Sequence, residues 1–235
     1  MSTPTAATEF FGPVSPFGTL SGWEVQKNNP TRSVQRAQAL KANGDELAAQ
    51  TYDGKENESA EYVVSDDNAA IPLPGSVLGN YHIDTVQVKF VDNDFCRMTV
   101  TGHKHTGGNP SHTDGSTRKY AGTLTTVPCK FGCPSASQLS GIFIIPTDAG
   151  VRSFTYNLKL NHVDEPGSQG NFLAGDNYDG SETADIELCD TNNISVASGW
   201  TLMTDGHAKG NTEATAASAT AERHLQHVVN TGTGD

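Results

Sequence analysis

Two histidines one residue apart, His103 and His105, are the first residues of this chain whose type and spacing suggest chemistry. On a strand both leave the same face, and His112 follows seven residues later. Three imidazoles can bind zinc. The same residues also fit a polar loop at a strand end, where histidines hydrogen-bond or contact a partner. Cys129-Lys130-Phe131-Gly132-Cys133 has a spacing found in structural zinc sites, yet such a site needs four ligands and no second pair stands close in sequence. Cys96 and Cys189 have apolar neighbours and read as small buried hydrophobes. The even cysteine count permits two disulfides, which a chain of this length does not need. Asp176-Asn177-Tyr178-Asp179-Gly180-Ser181-Glu182 clusters carboxylates that suit calcium. Tyr178 breaks the D-x-D-x-D-G spacing, and a turn before a strand explains the same residues. Nucleophile motifs are missing. Gly75-Ser76-Val77-Leu78-Gly79 has its serine one place early for G-x-S-x-G, and no Gly-rich phosphate loop carries Lys-Ser/Thr. A Ser/His/Asp site dispersed in sequence stays open, because triads are defined in space. No catalytic residue and no cofactor is assigned.

Charge placement is more informative. The chain carries a net charge of −12 over 235 residues. Residues 53–67 hold Asp53, Glu56, Glu58, Glu61, Asp66 and Asp67 against Lys55, and residues 164–190 hold no Lys or Arg. On Glu182 to Leu188, Asp185 and Glu187 oppose Ala184, Ile186 and Leu188. An acidic sheet face repels itself unless it meets water, cations or a basic partner. Ordinary solubility explains such a face; a surface that must not adhere to nucleic acid explains it more sharply. Clustered Lys and Arg, which duplex-DNA binding and acidic membranes demand, are lacking. No window approaches the roughly 18 apolar residues of a membrane-spanning helix, so no membrane partner is expected. Polar residues from Met1 to Thr8, with no base before Lys27, do not read as a signal peptide.

The elements that must position these residues read as strands. Gly and Pro number 24 and 11, and hydrophobic residues are 35%, as expected for short strands with polar turns. Residues 1–22 read as an extended arm whose Phe10, Phe11 and Phe17 anchor on a neighbour. A core domain over 23–204 and an Ala/Thr-rich, partly flexible segment over 205–235 follow. Within the core, Trp23–Gln26 starts a strand. Ser33–Thr51 has helical propensity, but Asn43-Gly44 between two runs favours a hairpin. Ser59–Ser65, Tyr81–Val91 and Phe95–His105 alternate with period two, the last two joined at Asp92-Asn93-Asp94. Thr106–Lys119 reads as a loop, Tyr120–Val127 as a strand, Cys129–Ser140 as irregular or a short helix, and Ile142–Ile145 as a short buried strand. Val151–His162 alternates most clearly, and a loop is expected from there to Gly180. Glu182–Leu188 and Ile194–Met203 are further strands, and Thr212–Leu225 is a helix or a final edge strand. The sum is a mostly β chain of roughly eight to ten strands, an antiparallel β-sandwich or barrel with long loops and extended terminal arms.

Several of these stretches resemble a known group. Asn43-Gly44-Asp45-Glu46, Glu61-Tyr62-Val63-Val64, Met98 through His105 and Phe154 to Leu188 look like virion structural proteins of tailed bacteriophages, and most resemble tail tube proteins. The resemblance spans residues 30–200, rests on short strings, and brings no catalytic residue with it. It implies a non-enzymatic subunit in a virion tail, made in the host cytoplasm. Such subunits form stacked homo-oligomeric rings, commonly hexameric, that meet other tail proteins. DNA slides through an acidic lumen without being held. Glu58, Glu61, Asp185 and Glu187 are the lumen-lining candidates under that reading. A carbohydrate- or receptor-binding β-sandwich is the alternative, although aromatics are only 7%. A metal-dependent enzyme using His103, His105 and His112 is the third. His-x-His on a strand also resembles the cupin metal site, but Thr106, Gly107, Gly108 and Asn109 stand where that pattern places its Glu.

Overall fold

A computed structural model describes residues 13–66, 69–105, 129–166, 172–189, 194–209 and 215–225. Among them there are strands and turns but no helix. The strands are β1 (Trp23–Leu40), β2 (Glu46–Val64), β3 (Val77–Leu78), β4 (Tyr81–Val91), β5 (Arg97–His105), β6 (Phe143–Ile144), β7 (Gly150–Pro166), β8 (Phe172–Cys189), β9 (Ser195–Val196), β10 (Thr201–Lys209) and β11 (Thr215–Leu225). One antiparallel sheet has the order β1-β2-β5-β4-β7-β8-β11-β10, with β3 paired to β4 beside it. A small ribbon pairs β6 with β9. Among the described residues the path ends at β1 and β10 without closing into a barrel.

Period-two alternation builds the two faces. Val86, Val88 and Phe90 on β4, Met98 and Val100 on β5, Phe154 and Tyr156 on β7, and Ala184, Ile186 and Leu188 on β8 are all buried. Burying each large apolar side chain contributes about 1.5–3 kcal/mol. Against this face pack Phe17 and Trp23 from before and at the start of β1, Leu139, Ile142 and Phe143 from the segment ending in β6, and Trp200 from just before β10. The second layer of this sandwich-like fold is therefore mostly irregular chain. The opposite face is polar. Gln87 bonds Asn157, which in turn bonds Thr183, and Thr220 donates to Asp185.

Several expectations change. The Asn43-Gly44 turn does close a hairpin, with Gly44 at φ +87° and its amide on the Lys41 carbonyl at 2.9 Å. Its strands are far longer than expected, because β1 runs unbroken from Trp23 and β2 through to Val64. The loop expected up to Gly180 is instead the outer part of a second long hairpin, β7 and β8. Cys129–Ser140 is irregular, with no helix. Thr215–Leu225 is a strand, but it lies inside the sheet between β8 and β10, so the edge is β10. The sheet thus continues well past residue 204. Phe17 is 2% exposed and stacks edge-on against Tyr81 at 5.5 Å. It anchors residues 13–22 on the chain's own core rather than on a neighbour. Phe10, Phe11, His112, the 106–119 loop, the 120–127 strand and the last residues fall outside the described residues.

Candidate functional site

The polar face carries a histidine–aspartate cluster at the end of the sheet from which both long hairpins emerge. His103 and His105 share the face of Thr99 and Thr101 on β5. Opposite His103 on β4 stands His82. A register shift between Ile83 and Thr85 changes the phase of β4 and brings Asp84 to the same group. On β7 a second shift, between Lys159 and Asn161, does the same for His162 and Asp164. Bulges of this kind re-aim side chains beside functional sites. β4 stops pairing with β7 at Thr85, so His162 and Asp164 reach β5 past the start of β4. Lys55 arrives from β2, directly opposite His105.

Asp84 lies at the centre. His103 Nδ1 donates to both its oxygens, at 2.8 and 2.9 Å. His82 Nδ1 and His162 Nδ1 each stand 3.3 Å from its Oδ1. The rings of His103 and His162 stack at 4.1 Å. Asp164 forms a second focus. Its Oδ1 is 3.3 Å from His105 Nε2, its Oδ2 is 3.7 Å from His162 Nε2, and Lys55 Nζ donates to Oδ2 at 3.1 Å. His82, His103 and His105 are buried although they sit on the polar face. Burial, opposed by Asp84, lowers the pKa of His103. Burial and the neighbouring His103 push His162 down to about 4. Burial alone would raise both aspartates. Hydrogen bonds from His103 and His82 outweigh it at Asp84, holding it at about 2, and those from His105 and Lys55 keep Asp164 low as well. Two triads, His82–Asp84–His103 and His103–His105–Asp164, each bring three ligand atoms within 4.8 Å of one another. Imidazole and carboxylate together suit a divalent transition metal.

Of the expected trio, His103 and His105 come together. The rest of the cluster was present in sequence as two further i, i+2 pairs, His82-Ile83-Asp84 and His162-Val163-Asp164. The four acidic candidates do not share a face. Glu58 lies with Ala60 and Tyr62 on the covered side and is 7% exposed. It sits beside Glu56, which accepts from Tyr81 Oη at 2.5 Å and pairs with Lys104 at 3.0 Å. Burial, then the charge of Glu56, raises the Glu58 pKa. Glu61 is on the polar face but pairs with Arg97 at 3.3 Å. Asp185 and Glu187 are also there. They accept from Thr220 at 2.6 Å and Ser153 at 3.3 Å, and neither joins an ion pair among the described residues.

All four cysteines are free thiols. Cys96 and Cys129 hydrogen-bond one another, which with burial raises Cys96 and leaves Cys129 lowered. Cys133 points instead to the Arg152 carbonyl at 3.2 Å. In the Asp176–Glu182 stretch, Glu182 is fully buried on the covered side, bound to Tyr156 Oη at 2.8 Å and to Arg223. It faces the core rather than a calcium loop. No protein-family model matches this sequence, and no curated protein matches it.

Proposed function

We propose that the chain is a structural subunit that assembles with copies of itself into stacked rings, forming a tube like those of phage tails through which DNA passes. The β1–β2 hairpin carries this reading. Among the described residues, β2 pairs with β5 from Lys55 to Val63, and residues 46–54 pair with β1 alone. A two-stranded ribbon is marginal in water by itself. This one also exposes Val34, Leu40 and Leu47, each at more than half of its surface. A second copy of the chain is the occupant that supports it, because β1 and β10, which are edge strands among the described residues, offer backbone groups for the same assembly. Head-to-tail contacts of this sort close into rings. The broad polar face with Asp185 and Glu187 suits a wall past which a polyanion must slide.

Sedimentation and electron microscopy of the concentrated full chain test the reading. Rings or tubes are expected, and Val34→Asp with Leu47→Asp should return the protein to monomer while leaving its β-sheet spectrum intact. A wild-type chain that stays monomeric at every concentration and salt tested overturns it.

A further inference from the structure

The proposed assembly does not use the histidine–aspartate cluster, whose donors are arranged for a ligand. We propose that His103, His105, His162 and Asp164 form a structural site for a zinc-class divalent cation, with the Lys55 ammonium holding the position until the metal displaces it.

Tautomers give the first reason. An ammonium can only donate, so His162 Nε2, 3.0 Å from Lys55 Nζ, accepts. Its proton is then on Nδ1, facing Asp84. His103 likewise commits Nδ1 to Asp84. Both rings are thereby turned with Nε2 away from Asp84, and a carboxylate behind a metal-binding imidazole is what fixes such ligands. Distances give the second. Ligand atoms around a tetrahedral zinc with ~2.0–2.1 Å bonds lie roughly 3.3 Å from each other. Asp164 Oδ1 lies 3.3 Å from His105 Nε2, whose proton a metal would displace, and Asp164 Oδ2 lies 3.7 Å from His162 Nε2, so the carboxylate meets one imidazole with each oxygen. His103 brings its ligand atom within 4.8 Å of His105 and Asp164. The third reason is Lys55 itself, a cation 3.0 and 3.1 Å from two of the proposed ligands.

Three imidazoles exclude a calcium-type oxygen cage, and the lack of sulfur disfavours copper(I). Four protein ligands close the coordination sphere, which marks a structural rather than a catalytic site. The metal would tie β5 to β7 across the gap where β4 begins, at the root of both hairpins.

The test is calorimetric titration of the full, chelator-treated chain with zinc chloride. Wild type is expected to bind one equivalent, and Asp164→Asn to lose it. Asp84→Asn should weaken binding by about 10- to 100-fold, as loss of an orienting carboxylate does. Lys55→Met should bind about tenfold more tightly, since a competing positive charge is gone. Nitrogen NMR of the wild-type imidazoles supplies a readout that survives any misfolded variant, with zinc moving the Nε2 resonances of His105 and His162. No binding by wild type overturns the site, as does binding that Asp164→Asn leaves intact or imidazole resonances that zinc leaves in place. An affinity unchanged by Lys55→Met overturns the part given to the lysine.

Discussion

At the scale of single residues, Glu182 is the group with most at stake. Its carboxylate is fully buried, held by Tyr156 and by Arg223, whose guanidinium also lies 4.7 Å over the Trp200 ring. Arg223→Met leaves a buried charge behind, so unfolding by urea should show a loss of about 3 kcal/mol. The double variant with Glu182→Gln should recover part of it, because the charge goes with its partner. Cys133 offers a pH test. Burial, helped by Asp92, pushes its thiol up to about 11. A raised pKa keeps the thiol protonated at pH 8, and the thiolate is the nucleophile. Alkylation of the Cys133 peptide, followed by mass, should therefore be slow at pH 8 and rise with each pH unit towards 11. A rate already level at pH 9 counts against the shift. Two of the six residues of the histidine–aspartate cluster were legible at this scale. His103 and His105 share a strand face by simple alternation. His82-x-Asp84 and His162-x-Asp164 were not seen, because each depends on a bulge that alternation does not announce, and Asp164 was placed in a loop. Glu58 shows the converse. It is three residues from Glu61 on one regular strand, so parity alone puts the two on opposite faces.

Among the elements, the two long hairpins and the segment that covers the sheet behave differently. The tip of the β1–β2 hairpin needs Gly44 for its left-handed φ, but open space surrounds it. Gly44→Ala should cost only about 1 kcal/mol, the backbone term alone. Gly102 lies in the middle of β5, where an added Cβ would stand 2.5 Å from the His82 carbonyl oxygen and 3.1 Å from the Phe17 ring. The first neighbour is backbone and cannot rotate away. Gly102→Ala should cost about 1–3 kcal/mol by overpacking and should loosen residues 13–22, read as faster proteolysis there. Equal losses for the two glycine variants would argue against the close seat of Phe17. Strand positions were legible wherever one face is apolar: β4, the inner part of β7 and the end of β8 all alternate cleanly. Their outer parts were not. Asp164, Glu165 and Pro166 on β7 and Gly175 on β8 carry turn-like composition, and only pairing with the partner strand makes them extended. β11 was ambiguous for a related reason, since alanine suits a helix as well as a crowded sheet interior.

For the whole molecule, the arrangement of charge decides between a lumen and an ordinary wet surface. The polar face is not uniformly acidic: Lys89 and Arg97 lie on its β4–β5 side, with Glu61 paired to Arg97. Among the described residues, Asp185 and Glu187 on β8 join no ion pair and accept only from the Thr220 and Ser153 hydroxyls. A lumen reading therefore predicts that this strip, and not Glu58, governs the passage of DNA. Changing Asp185 and Glu187 together to Lys replaces repulsion with phosphate contacts, each of which adds a slope of about −0.9 in log affinity against log salt. The control is Asp92→Lys with Asp148→Lys, an equal charge change on exposed residues outside the polar face. Assembled particles of the three proteins are mixed with short duplex DNA at low salt and sedimented. Wild type and control should leave the DNA in the supernatant, while the Asp185/Glu187 variant should carry it down and release it as salt rises. If the control retains DNA as strongly as the strip variant, net charge alone is being read, and the polar face of β8 does not line a channel.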